Sequence, residues 1–231
     1  MPKIIGDSLA DHRQMTRHRL FEALGQLMSE GPFDSITMSQ IAARADVGRT
    51  AVYNHFADKE TLLLEFMHYA SGQFTQVLRT ALEGQSDPIE QMRIYLRAHL
   101  ELKDRYHLAS GVNLRGQVSI QTTPRLREHA GMIEDVLLNI LRSAMGAEAI
   151  PMQNPYMLIG LIHSALAGQN LPAPPAEREH TIRAVQAFIL RAIGVPPEKA
   201  PIPSSRIRPI DDDLPLRNDA QAFLRCPVSH G

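Results

Sequence analysis

Apolar residues recur at helical spacing along most of the chain, and capping and breaking residues divide that pattern into separate helices. Between positions 11 and 29, Leu20, Phe21, Leu24, Leu27 and Met28 repeat every three or four residues until Gly31-Pro32 stops the run. Thr37 and Gln40 have the spacing of a capping box, with Ile36 and Ile41 placed as a hydrophobic staple, so a second helix is expected to start at Met38. Asp46-Val47-Gly48 interrupts it, because Asp and Gly tolerate turn and left-handed backbone angles. A third short helix follows over 49–55, giving two helices joined by a turn of about three residues, as in a helix-turn-helix. Asp58 then caps a long helix to about Glu83 that carries Leu62, Leu63, Leu64, Phe66, Met67, Tyr69, Phe74, Val77, Leu78 and Leu82. These are too many apolar sides for a surface helix.

Further along, Asp87-Pro88-Ile89-Glu90 sets a cap, an N1 proline and an N3 carboxylate in order and opens a helix with Met92, Tyr95, Leu96, His99 and Leu100. From Arg105 to Ile120 the pattern weakens around Gly111 and Gly116 and predicts only a short helix with loops. Thr123-Pro124 begins a helix to about Met145, with Leu126, Ala130, Ile133, Leu137, Ile140 and Leu141 on one stripe. Pro155 opens another to about Gly168, and Pro174-Pro175 precedes a last one that ends at Gly194. The fold class is therefore all-α. A helix-turn-helix head over 1–57 precedes a helical body over 58–195, and 196–231 reads as a disordered tail with a short helix from Asp219 to Arg225. Residues 1–8 read as a loose arm. The head core is expected to comprise Leu20, Leu24, Leu27, Phe33, Ile36, Ile41, Val47, Val52 and Phe56.

The helix over 49–55 has two faces. Val52 and Phe56 point to the core, whereas Arg49, Thr50, Tyr53 and Asn54 point outward with groups able to bond base edges and phosphates, as a helix in the DNA major groove requires. Asp58 and Lys59 place a cation beside free amides at the next helix start, which suits a phosphate anchor. Arg13 and Arg17, four apart, suit either phosphate contact or a solvated face.

The 231 residues, 44% of them hydrophobic, are enough for one large or two modest cores. A net charge of −1 and a pI near 6.8 argue against a protein that coats nucleic acid, though not against a small DNA-reading head. One cysteine, Cys226, precludes an internal disulfide; with no membrane-length apolar run and no signal-peptide pattern, a cytoplasmic protein is expected. Glycine-rich phosphate loops, His-Glu-x-x-His pairs and nucleophile elbows are absent, which argues against an enzyme.

Thr37, Ile41-Ala42, Ala45, Val47, Tyr53, His55-Phe56, Lys59 and Leu62 together resemble the DNA-binding head of TetR-type transcriptional repressors. Arg19, Leu20, Ala23, Leu27, Gly31 and Phe33 resemble the family's first helix and turn. The chain departs from the family at Asp46, where Gly is common, and at Gly48, where Ser is common. The resemblance implies a homodimeric regulator of a palindromic operator in double-stranded DNA. Arg49, Thr50 and Asn54 would read bases, Ala51 would meet a thymine methyl, and Thr37, Tyr53 and Lys59 would hold phosphates. It also implies pairing of the helices near 155–168 and 176–193 with their symmetry mates, although these two helices equally suit a monomer core. The body would bind a small-molecule effector, for which Tyr95, His99, His107, Asn113 and His163 are candidate contacts because they interrupt apolar stretches. No cofactor, metal or membrane partner is expected. The rivals are a helical bundle that has lost DNA binding and a haem or metal sensor; Cys226-Pro227 has the form of a haem-responsive dipeptide, a match of two residues that arises readily by chance.

Overall fold

The structure, a computed structural model, describes residues 7–105 and 117–204. These form eight α-helices in chain order: α1 Asp7–Glu30, α2 Met38–Arg44, α3 Arg49–His55, α4 Lys59–Leu82, α5 Pro88–Arg105, α6 Thr122–Gly146, α7 Pro155–Ala167 and α8 Pro175–Ala192. The fold is all-α. No described helix is long and apolar enough to cross a membrane.

Local chemistry fixes the helix ends. The Thr37 hydroxyl accepts from the Gln40 amide at 3.2 Å while the Gln40 side chain accepts from the Thr37 amide at 2.8 Å, completing the capping box at α2. Asp58 caps α4 through Thr61, and Asn154 caps α7 through Tyr156 and Met157. Three helices end in the same turn, with a residue in the left-handed region after the cap. Asp46 (φ 51°) closes α2, Glu148 (φ 55°) closes α6 and Gly194 (φ 101°) closes α8. After α2 the Val47 amide reaches the Ala42 carbonyl at 3.0 Å and the Asp46 amide reaches that of Ala43 at 3.2 Å. Carbonyls that the helix leaves unpaired are satisfied in this way.

Two hydrophobic cores share one helix. Leu62, Leu63 and Phe66 of α4 lie in the head core with Leu20, Leu24, Phe33, Ile41, Val52 and Phe56, whereas Phe74 and Leu78 lie in the body core with Tyr95, Leu96, Leu137 and Leu190. The head therefore extends past the boundary expected at residue 57, because α3 is too short to close its core without the first turns of α4. Leu27 and Val47, expected in that core, pack against it while partly exposed. Leu126, placed by its spacing on the body stripe of α6, packs instead on the head, together with Val118.

Two further expectations are corrected. The first helix begins at Asp7, inside the segment read as a loose arm. At the other end the body continues beyond residue 196: Ala200 is fully buried, Arg93 bonds the Lys199 carbonyl, and Arg191 bonds the Ala200 carbonyl at 2.8 Å. Proline-rich composition hid these anchors, whose polar contacts are made to backbone carbonyls. The short helix expected at 219–225 and Cys226 lie outside the described residues.

At Gly194 an added Cβ would lie 2.5 Å from Cδ of Pro151, on a backbone that L-residues adopt at a cost. Gly194→Ala should therefore destabilise the body by about 2–4 kcal/mol through strain and overpacking combined. Urea unfolding would check this; an unchanged midpoint would contradict the close packing of the α8 terminus on Pro151.

Candidate functional site

The outer face of α3 is built on a supported underside. Val52 is fully buried and Phe56 nearly so, while Arg49, Thr50, Tyr53 and Asn54 are exposed and Ala51 is half-buried between the faces. Gly48 forms the N-cap with no side-chain bond, so the hydroxyl common at this position in the resembled family is missing without loss of the helix. The Val52 amide still reaches the Gly48 carbonyl at 3.1 Å. Asp46 does not distort the turn. It takes up the left-handed position, and Arg19 binds its carbonyl at 2.8 Å and its carboxylate at 3.2 Å. An acidic residue is thus accommodated where glycine is common, removing one reason to regard the head as vestigial.

Of the cations around this face, Lys59 and Arg17 are engaged within the head. Lys59, expected as a phosphate anchor, directs its ammonium into the head, where it donates to the carbonyls of Phe33 at 3.1 Å, Asp34 at 2.7 Å and Ile36 at 2.9 Å and sits 4.9 Å from the Phe33 ring centroid. An ammonium has three donors. All three are occupied, so Lys59 ties the loop after α1 to α4 and its charge is not free for a phosphate. Arg17 pairs with Glu65 at 2.8 Å and lies 5.1 Å from the Phe56 ring centroid and 5.7 Å from that of Phe21, so it braces the underside of α3. Arg13 is exposed. Burial, then Arg13, Arg17 and His12, hold His55 below the usual imidazole range, showing that α1 contributes positive potential beside the end of α3. Thr37 is exposed, but its hydroxyl takes part in the capping box.

A polar clamp joins head and body. The Glu60 carboxylate accepts from the Ser119 amide at 2.9 Å, from the Ser119 hydroxyl at 2.6 Å and from the Thr122 hydroxyl, while Gln117 accepts from the Phe33 amide at 2.6 Å. Burial raises the pKa of Glu60, but the bonds from Ser119 and Thr122 outweigh it and leave the carboxyl below its ordinary value. Sequence reasoning missed this cluster because each bonded pair across it lies 59 or more positions apart and forms no short motif.

In the body, three of the five candidate contacts come together. Tyr95 is fully buried and its hydroxyl shares a 2.8 Å hydrogen bond with Nε2 of His163. His99 lies against both: its ring centroid is 5.4 Å from that of His163 with the planes 23° apart, and 6.0 Å from that of Tyr95. Phe74 of α4 meets Tyr95 and His99 edge-on. Lys103 extends the same face of α5, four residues after His99, and donates to the carbonyls of Ala167 at 2.7 Å and of Gln169. The spacing 95, 99, 103 carried that signal, although Lys103 was not among the expected contacts. His107 and Asn113 lie outside the described residues. Burial raises the tyrosine hydroxyl and lowers both imidazoles, His99 to about 3, with His163 and Lys103 adding to the shift. Among the described residues no group of three or more His, Cys, Asp or Glu is arranged to hold a metal ion.

A helix-turn-helix head on an all-α body is the architecture against which the comparisons stand. Residues 20–66 match the family model for bacterial regulatory proteins of the tetR family. The HTH-type transcriptional regulator HbdR of Aromatoleum sp. (strain CIB) is 26% identical over 110 residues, which cover 48% of this chain and 48% of that one. The match therefore spans about half the length of this curated relative. Among solved structures, the TetR family transcriptional regulator PfmR of Thermus thermophilus superposes with a TM-score of 0.61 at 21% identity, over 75% of this chain and 97% of PfmR. AibR, solved with isovaleryl coenzyme A and operator DNA, gives a TM-score of 0.62 at 16% identity, over 75% of this chain and 97% of AibR. At these identities the solved structures show the fold alone. The family match thus covers the head, where residues 20–66 are similar to the tetR-family regulators, and the solved structures share the all-α fold.

His99 also makes stability depend on pH. An unfolded chain protonates this imidazole near 6.5, whereas the folded protein holds it neutral to about 3, so between these values the unfolded state binds more protons. The contribution is full above 6.5 and is lost as pH falls toward 3. Between pH 6 and 4, stability should fall with a slope of up to about 1.4 kcal/mol per unit from this one proton. His99→Leu should flatten the slope by that amount in urea titrations; parallel slopes would contradict the burial of a neutral imidazole.

Proposed function

We propose that the chain is a homodimeric, cytoplasmic, DNA-binding transcriptional repressor that leaves a palindromic operator when a small molecule binds its body. The observation that carries this reading is the exposed polar face of α3 held on a buried apolar and cation-braced underside. Arg49, Thr50 and Asn54 reach base edges in the major groove, and Ala51 packs on a thymine methyl. Tyr53 and Thr37 contact phosphates. Lys59 serves the same surface indirectly, by fixing the loop between α1 and α2.

The outer surfaces of α7 and α8 support twofold pairing. Met157, Gly160, Leu161 and Ser164 form an exposed stripe at helical spacing on α7, Tyr156 is 66% exposed at its start, and Phe188 is 66% exposed on α8. Large apolar side chains uncovered in this way mark a protein contact, and an isologous four-helix packing would bury them. AibR was solved with operator DNA and an acyl coenzyme A, which supports a fold that serves both an operator and an effector. The cluster of Tyr95, His99 and His163 is the effector site on this reading, and a ligand acts there only if it binds the DNA-free arrangement more tightly.

Selection from a random duplex pool tests the reading. The wild type should enrich a palindrome, and Arg49→Ala should weaken binding to it by about 1–3 kcal/mol and relax preference at the base that Arg49 reads. Equal enrichment by both proteins would remove Arg49 from base recognition, and enrichment of nothing, with or without ligands, would overturn the reading.

A further inference from the structure

The His99 imidazole is half-buried against the rings of Phe74, Tyr95 and His163, and no hydrogen bond joins it to another described residue. An imidazole set among rings in this way has a nitrogen open to an incoming partner. The surroundings say what kind. Tyr95 and Lys103 of α5 and His163 of α7 flank it, and α4 presents Phe74. From α6, Glu134 bears on the Tyr95 hydroxyl. The acidic groups between α5 and α8 are already paired, Asp104 with Arg178 and Glu179 with Arg97. Among the described residues, donors and bases gather around His99, and the Glu134 carboxylate bears on Tyr95 rather than on His99. His99, His163 and Lys103 are each only partly covered, whereas Tyr95 behind them is sealed.

We infer that His99, with His163 and Lys103 beside it, seats a carboxylate, so that the effector is an organic acid with an apolar body. This deepens the effector reading above and rests on it. A carboxylate arriving as an anion converts neutral His99 to imidazolium with a proton taken from solvent; one arriving as the neutral acid gives its own proton to the ring. Either way one N–H donor faces one carboxylate, charge is balanced within the body, and the open nitrogen is satisfied. The apolar part lies among Phe74 and the side chains of the body core, where burial stabilises it.

Calorimetry on the full-length protein would test this with benzoate, octanoate and dodecanoate, each beside its primary alcohol, in phosphate and in Tris. At least one carboxylate should bind with uptake of close to one proton, about tenfold more tightly for each unit fall in pH between 8 and 7, and its alcohol should bind more weakly without pH dependence. His99→Leu should abolish the proton uptake while its unfolding midpoint at pH 7.5 stays at or above that of the wild type, which separates a ligand-seating histidine from a structural one. The inference is overturned if no carboxylate binds, if acid and alcohol bind alike, or if His99→Leu leaves the proton uptake intact. Duplex selection on the same preparation keeps the two readings apart: DNA binding without carboxylate binding removes only this inference, whereas loss of DNA selection removes the regulator reading and leaves the calorimetric result to stand on its own.

Discussion

One helix belongs to two hydrophobic cores, and that sharing governs the rest of the molecule. Leu62, Leu63 and Phe66 commit the first turns of α4 to the head; Phe74 and Leu78 commit later turns to the body. A helix is stiff along its axis, so neither core can rotate about α4 without disturbing the other's packing. The Glu60 clamp adds a second attachment beside the first, from the start of α6 to the first turn of α4, with Gln117 reaching the Phe33 amide. Head and body are joined both through a rod and across its side.

This arrangement gives the cluster of Tyr95, His99 and His163 a short physical route to α3. Phe74 touches Tyr95 and His99 edge-on and lies on the same helix as Lys59, whose ammonium holds three carbonyls of the loop leading to α2. A displacement at Phe74 bears on the helix that positions α3. Meanwhile α3 has few ways to move alone, because Arg17 stacks on Phe56 and Phe21 and the turn before it is closed by Arg19 on Asp46. Motion of α3 is therefore motion of the whole head, the kind of rigid-body change that, on the proposed reading, alters the spacing of two half-site readers.

Helix starts were legible in the sequence where a capping residue marks them, because caps are local chemistry, and the start of α1 was not. Thr37 with Gln40, Asp58 with Thr61 and Asn154 with Tyr156 act over two or three residues, and each helix begins where those residues place it. The two faces of α3 were legible for the same reason, since a single helical period separates Val52 from Arg49 and Tyr53. What escaped was tertiary. Nothing near Lys59 in sequence shows that its ammonium turns inward to residues 33–36, and Leu126 reads as body until the fold sets it against the head. Tyr95, His99 and His163 were singled out as polar interruptions of apolar helices, but their meeting depends on how α5 packs on α7. The extra member, Lys103, was visible only as a helical repeat.

The central claim, a recognition face presented twice by a twofold dimer, is tested most directly by the mass of the complex formed with a selected palindromic duplex. Sedimentation should give two chains per duplex. Leu161→Glu, which places a charge in the exposed α7 stripe, should leave a folded single chain that no longer holds the palindrome tightly. A wild-type complex of one chain per duplex, or a Leu161→Glu protein that remains dimeric and binds undiminished, would contradict the account.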